Sequence, residues 1–338
     1  MQRDQQPRSD AAAPPILEVR NLVVAFHGLA GTLRALDDVS FSIAPGEILG
    51  VVGESGAGKS LTGAAVIGLL ERPGRIDGGE ILLAGRRIDN LPHAQMRKVR
   101  GREIGAIFQD PLTSLNPLLT VGEQLTETIA THLALSAKAA RARAVELLAE
   151  VGIPAPANRI DDYPHHFSGG MRQRVVIALA LCANPKLVIA DEPTTALDVS
   201  VQAQILELIR RLGREHGTAV MLITHDMGVI AETADRVAVM YAGRVAEIGP
   251  TREIIETPHH PYTVGLMGSV PVIGEDAEDL VQIDGSMPRL NAIPPGCAFN
   301  PRCGEVMGRC LSQRPGLMPA GRSQAACWLM DTVTGDAA

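Results

Sequence analysis

The sequence predicts an α/β protein built around a parallel β-sheet. Three short apolar runs carry this prediction, each typical of a strand buried on both faces: EILGVV at 47–52, KLVIAD at 186–191 and AVMLITH at 219–225. A stretch of helical composition, VQAQILELIRRLGREHG at 201–217, separates the last two. The order strand, helix, strand is typical of an α/β layer whose strands run parallel.

Four further segments have readable patterns. The partly alternating run at 17–26 predicts an edge strand, and the run at 61–70 has helical composition. Residues 121–152 are rich in Ala, Leu and Glu and predict one or two helices, within a helical subdomain expected at about 110–180. Residues 236–249 predict a hairpin that turns at Ala242 and Gly243.

The two ends of the chain differ from its middle. Residues 1–15 are polar, lack the apolar segment of a signal peptide and are expected to form a disordered leader. Beyond about residue 258 the chain is rich in Pro, Gly and Cys and loses clear periodicity. We therefore expect one main domain at 16–257 and a C-terminal extension at 258–338.

Composition excludes several classes of protein. The formal net charge is −7 and no run of five Lys or Arg occurs, which argues against a nucleic-acid partner. The longest apolar run, VVIALALCA at 175–183, is far shorter than the ~20 residues of a membrane-spanning helix. With no export signal, we expect a cytosolic protein whose thiols stay reduced.

The segment GESGAGKS, Gly53 to Ser60, matches the phosphate-loop pattern G-x-x-x-x-G-K-[ST]. Its glycines let backbone N–H groups cradle phosphate oxygens, and Lys59 adds a charge for the terminal phosphates. The hydroxyl of Ser60 is a ligand for Mg²⁺. Because the segment lies between a buried strand and a helix, the sequence predicts a nucleoside triphosphate site.

A second apolar strand, KLVIADEP, ends in two acids, Asp191 and Glu192. Carboxylates at the carboxyl end of such a strand face the crevice in which α/β proteins bind ligands. Asp191 is the expected partner of Mg²⁺, through water, and Glu192 the expected general base for an attacking water.

With FSGGMRQR, Phe167 to Arg174, the chain resembles the ABC ATPase family. The segment is similar to the family's signature motif, with Phe167 in place of Leu and Met171 in place of Gln. The resemblance implies an ABC ATPase fold: a RecA-like parallel core, an antiparallel β subdomain and a helical signature subdomain. It also implies that Ser168, Gly169 and Gly170 contact the γ-phosphate bound by an opposing subunit.

Single residues extend the resemblance. Gln109 in IFQDP is similar to the family's Q-loop glutamine, which touches Mg²⁺ and the attacking water. Asp198 in TTALD resembles the D-loop aspartate at the dimer interface, and His225 in LITHD resembles the switch histidine of the γ-phosphate. Phe26 is either the aromatic residue that stacks on adenine or a core side chain. The nucleotide contacts implied for the phosphate loop and the start of its helix are Gly53, Glu54, Ser55, Gly56, Ala57, Gly58, Lys59, Ser60 and Leu61.

Two segments point to one branch of this family. QDPLTSLNP at 109–117 and HPYT at 260–263 resemble segments of the oligopeptide/dipeptide importer ATPases, and the whole chain looks more like the first of their two ATPase subunits. The resemblance implies a second homologous ATPase, two permease subunits and an extracytoplasmic binding protein, on the cytoplasmic face of the membrane. Import of nickel or glutathione and a role outside transport are the alternatives.

Four cysteines lie together in the extension: Cys297, Cys303, Cys310 and Cys327. Small segments with little core often depend on a metal, but the spacing lacks the C-x₂-C pairs of zinc ribbons. The resemblance to this importer family implies that the four cysteines bind a [4Fe–4S] cluster, which is the cofactor predicted here beside ATP and Mg²⁺. Zinc and unmetallated thiols are the alternatives, and Cys182 is predicted to be a core residue.

Overall fold

The computed structural model describes residues 14–28, 31–195, 197–269 and 282–333. The predicted leader therefore lies mainly outside the described residues.

The strands are β1 (Leu17–Gly28), β2 (Gly31–Ile43), β3 (Ile48–Val52), β4 (Gly74–Leu83), β5 (Arg86–Arg87), β6 (Ile104–Ile107), β7 (Leu187–Asp191), β8 (Ala219–Ile223), β9 (Arg236–Tyr241), β10 (Arg244–Pro250), β11 (Met318–Ala320) and β12 (Ser323–Ala325). The helices are α1 (Lys59–Val66), α2 (His93–Val99), α3 (Pro111–Ser114), α4 (Val121–His132), α5 (Ala137–Glu150), α6 (Pro156–Arg159), α7 (Gly169–Leu181), α8 (Val199–His216), α9 (Met227–Thr233), α10 (Thr251–Glu256), α11 (Pro261–Gly268) and α12 (Leu329–Val333).

The main sheet contains the predicted parallel strands. Strands β6, β7, β8, β3 and β9 lie side by side in that order and run parallel. The β9–β10 hairpin then continues the sheet, and it turns at Ala242 and Gly243, both with positive φ, as predicted. All five residues of β3 and all five of β8 are buried, which explains why their sequences are continuously apolar.

A second, antiparallel sheet packs against the first. Its order is β2-β1-β4-β5. The prediction of an edge strand at 17–26 is wrong, because β1 pairs with β2 on one side and β4 on the other. The partial alternation in β1 reflects one buried and one exposed face, a pattern that central antiparallel strands share with edge strands.

Alternation along β3 divides the core into two layers. Ile48 and Val52 pack with the helical residues, whereas Leu49 and Val51 pack with the antiparallel sheet. The first layer holds buried side chains of α4, α5 and α7, together with the fully buried Cys182, as predicted.

Helices α3 to α7 occupy the chain between β6 and β7. The predicted helical pattern at 121–152 corresponds to α4 and α5. A capping box starts α4: the Thr120 hydroxyl accepts from the Glu123 N–H, and the Glu123 carboxylate accepts from the Thr120 N–H. The predicted helix at 201–217 is α8, which ends at Gly217 in the left-handed conformation.

The extension is joined to the main sheet. Strand β12 pairs with β10, Ala325 lying opposite Glu247 and Gln324 opposite Ile248. The rings of Tyr262 and Phe299 pack on Tyr241 of β9, with centroids 4.6 and 5.2 Å from its ring. The extension thus buries its apolar side chains against the first domain. Among the described residues, no helix is long and apolar enough to cross a membrane.

Candidate functional site

The phosphate loop connects β3 to α1 at the carboxyl edge of the parallel strands. Gly53 and Gly58 have φ values of +145° and +102°, which side chains rarely adopt. A Cβ at Gly53 would meet the Met240 carbonyl oxygen, and one at Gly58 would lie 2.6 Å from Leu36 Cδ2. Glycine is required at both positions, so the loop can fold tightly over the start of α1.

The side chain of Lys59 is buried under the loop. Its ammonium donates hydrogen bonds to the carbonyl oxygens of Gly53 (2.7 Å) and Glu54 (3.1 Å). Burial lowers the pKa of Lys59, against the opposing influence of Glu192, Asp191 and Glu54. The ammonium therefore lies inside the curve of the loop, where it can meet a phosphate oxygen.

Ser60, the residue after Lys59, is hydrogen-bonded to Asp191. Ser60 Oγ donates to Asp191 Oδ1 at 2.9 Å, which joins α1 to the end of β7. Burial raises the pKa of Asp191, while the bond from Ser60 lowers it. A hydroxyl and a partly buried carboxylate side by side are hard oxygen donors of the kind that Mg²⁺ prefers, so these two residues fit a magnesium site.

Glu192 lies at the centre of three polar contacts. Gln109 Nε2 donates to its Oε2 at 3.1 Å, Thr195 Oγ1 donates to the same oxygen at 2.9 Å, and His225 Nδ1 lies 3.1 Å from its Oε1. Burial alone would raise the pKa of Glu192, but the bonds from His225 and Thr195 hold it below its ordinary value. The structure thus brings Gln109, Glu192 and His225 together from the ends of three neighbouring strands.

A cavity of about 420 Å³ lies in front of these groups. Ten residues of the predicted set line it: Phe26, Ser55, Gly56, Gly58, Lys59, Ser60, Leu61, Gln109, Glu192 and His225. Phe26 also packs on the core of the antiparallel sheet, so the stacking and core interpretations of this ring are compatible. Ala57 is fully buried beneath the loop.

The signature residues lie apart from this cavity. Ser168 caps α7, its hydroxyl accepting from the Met171 N–H at 3.4 Å, and neither it nor Gly169 and Gly170 lines the cavity. A Cβ at Gly170 would lie 2.7 Å from Val201 Cγ1, so α7 packs closely on the start of α8. Asp198 caps α8, and the hydrogen bond from the Val201 N–H lowers its pKa, with help from the Ser200 hydroxyl.

The four cysteines of the extension surround one small cavity. Cys297, Cys303, Cys310 and Cys327 all line it, together with His260 and Trp328. Burial raises the pKa of Cys297 and Cys303, and that of Cys327 to about 11. Within the described ranges, no three His, Cys, Asp or Glu side chains form a group that could hold a metal ion. The described side chains therefore form no ready metal site for an iron–sulfur cluster or zinc, although the four cysteines share one cavity.

The sequence interpretation missed four residues around the site. Thr195 bonds to Glu192, Leu290 lines the cavity, and Arg302 and Tyr262 contact Glu54 of the phosphate loop. Thr195 follows Glu192 so closely that its role could have been inferred. The other three belong to the extension and lie more than 200 residues after the phosphate loop in the sequence, so no local spacing connects them to the loop.

Comparison with known proteins decides the family. Residues 36–195 match the family described as ABC transporter, and residues 246–310 match the one described as oligopeptide/dipeptide transporter, C-terminal region. The chain is 49% identical over 318 residues to the dipeptide transport ATP-binding protein DppD of Bacillus subtilis, a match that covers 94% of this chain and 95% of that protein. This chain is an ABC transporter ATPase.

Two further likenesses agree with this family. The oligopeptide transport ATP-binding protein OppD of Bacillus subtilis is 51% identical over 302 residues, covering 89% of this chain and 84% of its own. The fold of this ABC ATPase is similar to that of the ATP-binding cassette MJ0796, solved as a dimer in a post-hydrolysis state with ADP and Pi. That match has a TM-score of 0.62 at 29% identity and covers 70% of this chain and 99% of the cassette.

Proposed function

We propose that this ABC ATPase hydrolyses ATP to drive the import of dipeptides or oligopeptides through partner permease subunits. The proposal rests on two sets of polar contacts beside one cavity. Ser60 is hydrogen-bonded to Asp191, and Gln109 and His225 both contact the carboxylate of Glu192. The match of residues 246–310 to the C-terminal region of peptide transporters supports the substrate class.

The phosphate loop binds the triphosphate. Its backbone N–H groups, the N-terminus of α1 and the ammonium of Lys59 bind the phosphate oxygens, while Phe26, which lines the same cavity, contacts the base. Ser60 and Asp191 would hold Mg²⁺, which would supply positive charge beside the phosphate oxygens.

Glu192 accepts the proton of the attacking water. Its lowered pKa keeps it ionised at neutral pH, as a general base must be. Gln109 and Thr195 hold one carboxylate oxygen and leave the other facing His225, which contacts the γ-phosphate. The carboxylate is thus fixed before the substrate arrives, so little reorganisation is needed during the reaction.

A second ATPase subunit completes the site. Ser168, Gly169 and Gly170 open α7, a 13-residue helix, so their N–H groups present the positive end of a helix dipole. Because these residues do not line the cavity of their own chain, they serve the nucleotide of a homologous ATPase subunit, with Asp198 at the interface between the two. This explains why one chain carries both kinds of motif.

The remaining partners follow from the transport role. Two permease subunits form the path across the membrane, and an extracytoplasmic binding protein delivers the peptide to them. The ATPase then lies on the cytoplasmic face of the membrane, with Gln109 on the segment that senses the permeases. Nucleic acid has no part in this assembly.

We further propose that Cys297, Cys303, Cys310 and Cys327 are the ligands of a [4Fe–4S] cluster. Their common position around one cavity and the mutual electrostatic effect of their thiols support this proposal. Each ligand must lose its proton, and burial raises the pKa of Cys297, Cys303 and Cys327, so loading of the cluster should be favoured by rising pH. Iron and sulfide analysis of an anaerobic preparation tests this: four iron atoms per chain, reduced by Cys303→Ser, are expected, and full zinc without iron would contradict it.

Uptake of labelled peptides by cells tests the main proposal. Cells with wild-type protein should take up di- or pentapeptides, and cells with Lys59→Ala should lose uptake of one of these size classes. Normal peptide uptake in both strains, in a background without a redundant system, would contradict peptide import and direct attention to nickel, glutathione or a role outside transport.

A further inference from the structure

Glu54 of the phosphate loop is held through all three of its polar groups. Its N–H donates to the hydroxyl of Tyr262 at 2.9 Å. Its carbonyl oxygen accepts from Lys59 Nζ at 3.1 Å, and its carboxylate oxygens lie 3.0 and 3.2 Å from Nη1 of Arg302. Tyr262 and Arg302 both belong to the C-terminal extension, so two of the three contacts come from outside the loop.

Arg302 is itself fixed by the extension. Its Nε donates to the carbonyl of Asp284 at 2.8 Å, and its Nη2 to that of Ile283 at 3.3 Å. The guanidinium lies over the rings of Tyr241 and Phe299, with its carbon 5.8 and 5.9 Å from their centroids. The side chain is 7% exposed, so its charge depends on Glu54 for compensation.

Tyr262 is equally constrained. It is fully buried, its ring packs on Tyr241 and Phe299, and its backbone N–H donates to Nδ1 of His260 at 3.0 Å. A side chain held in this way presents its hydroxyl at a fixed point. Because the Tyr262 hydroxyl is fixed in place, a movement of the loop would break its hydrogen bond with the N–H of Glu54.

Other extension residues lie along the same side of the nucleotide cavity. Leu290 lines the cavity, and a Cβ built at Gly56 would lie 3.7 Å from Met287 Cε. The sulfur of Met287 accepts from the N–H of Ala242 at 3.3 Å, next to the turn on which the loop rests. The extension thus contacts the loop region at several independent points.

We propose that Arg302 and Tyr262 are positioning residues of the nucleotide site, which set the conformation of the phosphate loop through Glu54. By fixing the peptide and carboxylate of Glu54, they hold the loop open to phosphate and hold the Glu54 carbonyl where Lys59 reaches it. This inference rests on the proposed role of the loop in binding nucleotide. It makes the extension a structural part of the ATP site.

A double-mutant cycle on the full-length chain tests the proposal, with Mg²⁺–ADP as the probe. Glu54→Ala and Arg302→Met should each weaken ADP binding about five- to tenfold, because each leaves the other charge uncompensated. The double variant should bind ADP within about twofold of either single variant, since the two changes remove one interaction. Arg302→Lys should recover part of the loss.

Steady-state kinetics separate positioning from chemistry. Arg302→Met should raise the KM for ATP in the assembled complex by a similar factor and change kcat by less than about twofold. Tyr262→Phe removes one oxygen from a packed ring and should weaken ADP binding about threefold. It keeps the proposal testable if Arg302→Met fails to fold.

Two controls make the outcomes decisive. Arg309→Gln breaks another ion pair of the extension, with Asp331, and should leave ADP affinity unchanged. Lys59→Ala should abolish ADP binding, and if it does not, the assignment of the nucleotide site fails. If Lys59→Ala abolishes binding while Glu54→Ala and Arg302→Met leave affinity unchanged or combine additively, Arg302 only anchors the extension and this inference is wrong.

Discussion

The first domain and the C-terminal extension achieve rigidity in different ways. In the first domain, the groups of the site stand at the carboxyl ends of paired strands, so Asp191, Glu192 and His225 are placed by backbone hydrogen bonds. In the extension, regular elements are short, and the contacts come from buried side chains such as Tyr262 and Arg302. A segment with little regular secondary structure can therefore hold a loop in place when a buried side chain such as Arg302 bonds both to that loop and to the segment's own backbone.

The comparison predicts that changes in the first domain act mainly on catalysis, and the largest effect is expected at Glu192. Glu192→Gln keeps a side chain of the same size but removes the proposed base, so ATP turnover by the assembled complex should fall about 100-fold or more. Nucleotide affinity should stay within about twofold. Turnover near the wild-type rate would show that another group activates the water.

A smaller catalytic loss is expected at the signature helix. If Ser168 serves the nucleotide of the opposite subunit, as proposed, Ser168→Ala should lower turnover of the assembled complex about tenfold and leave ADP binding by the isolated chain unchanged.

Thr120→Ala is the matched control for Ser168→Ala. It removes another helix cap at a cost of about 1 kcal/mol, as Ser168→Ala does, but it should not slow turnover. An equal loss of turnover in both variants would mean that Ser168 acts only through helix stability.

Away from the two residues that contact Glu54, changes in the extension should act on stability, and His260 offers a test through pH. Burial lowers the pKa of His260 to about 4, whereas an unfolded chain would titrate near 6.5. The unfolded state therefore binds more protons between these values, and the free energy of unfolding should fall as pH drops through this window, by up to about 1.4 kcal/mol per pH unit.

Denaturant titrations between pH 6.5 and 5 measure this effect before most carboxylates protonate. His260→Asn keeps an acceptor for the Tyr262 N–H but cannot titrate, so its unfolding free energy should depend less on pH. The same pH dependence in both proteins would place the effect elsewhere.

The smallest effect is expected from Asp191→Asn. Burial raises the pKa of Asp191 in the folded chain, so the folded state keeps this proton at a pH at which the unfolded chain has lost it. The free energy of unfolding therefore falls as pH rises towards the pKa of the folded state. Asn should therefore raise the melting temperature of the nucleotide-free chain at pH 7 by about 1–3 °C, allowing for partial solvation of the carboxylate. The gain should vanish at acid pH. A lower melting temperature at pH 7 would contradict the sign of the shift.

Sequence predicted the first domain well because its signals are local. Continuous apolar runs predicted β3, β7 and β8, and most of the site residues end or follow a strand or open a helix. The position of β1 inside its sheet was missed, since the sequence of one strand does not show how many neighbouring strands it pairs with. The contacts of Tyr262 and Arg302 with Glu54 were missed for a similar reason: they join residues about 200 or more positions apart through packing, which no periodicity reports.

The most direct test of peptide import is peptide-stimulated ATP hydrolysis by this ATPase reconstituted in vesicles with permease subunits and with the proposed second ATPase subunit and binding protein. We expect dipeptides or oligopeptides to raise the turnover of the wild-type complex several-fold, with no stimulation in the complex that carries Glu192→Gln. Turnover that is indifferent to peptide, or stimulated only by nickel or glutathione, would contradict the assignment of this ABC ATPase to peptide import.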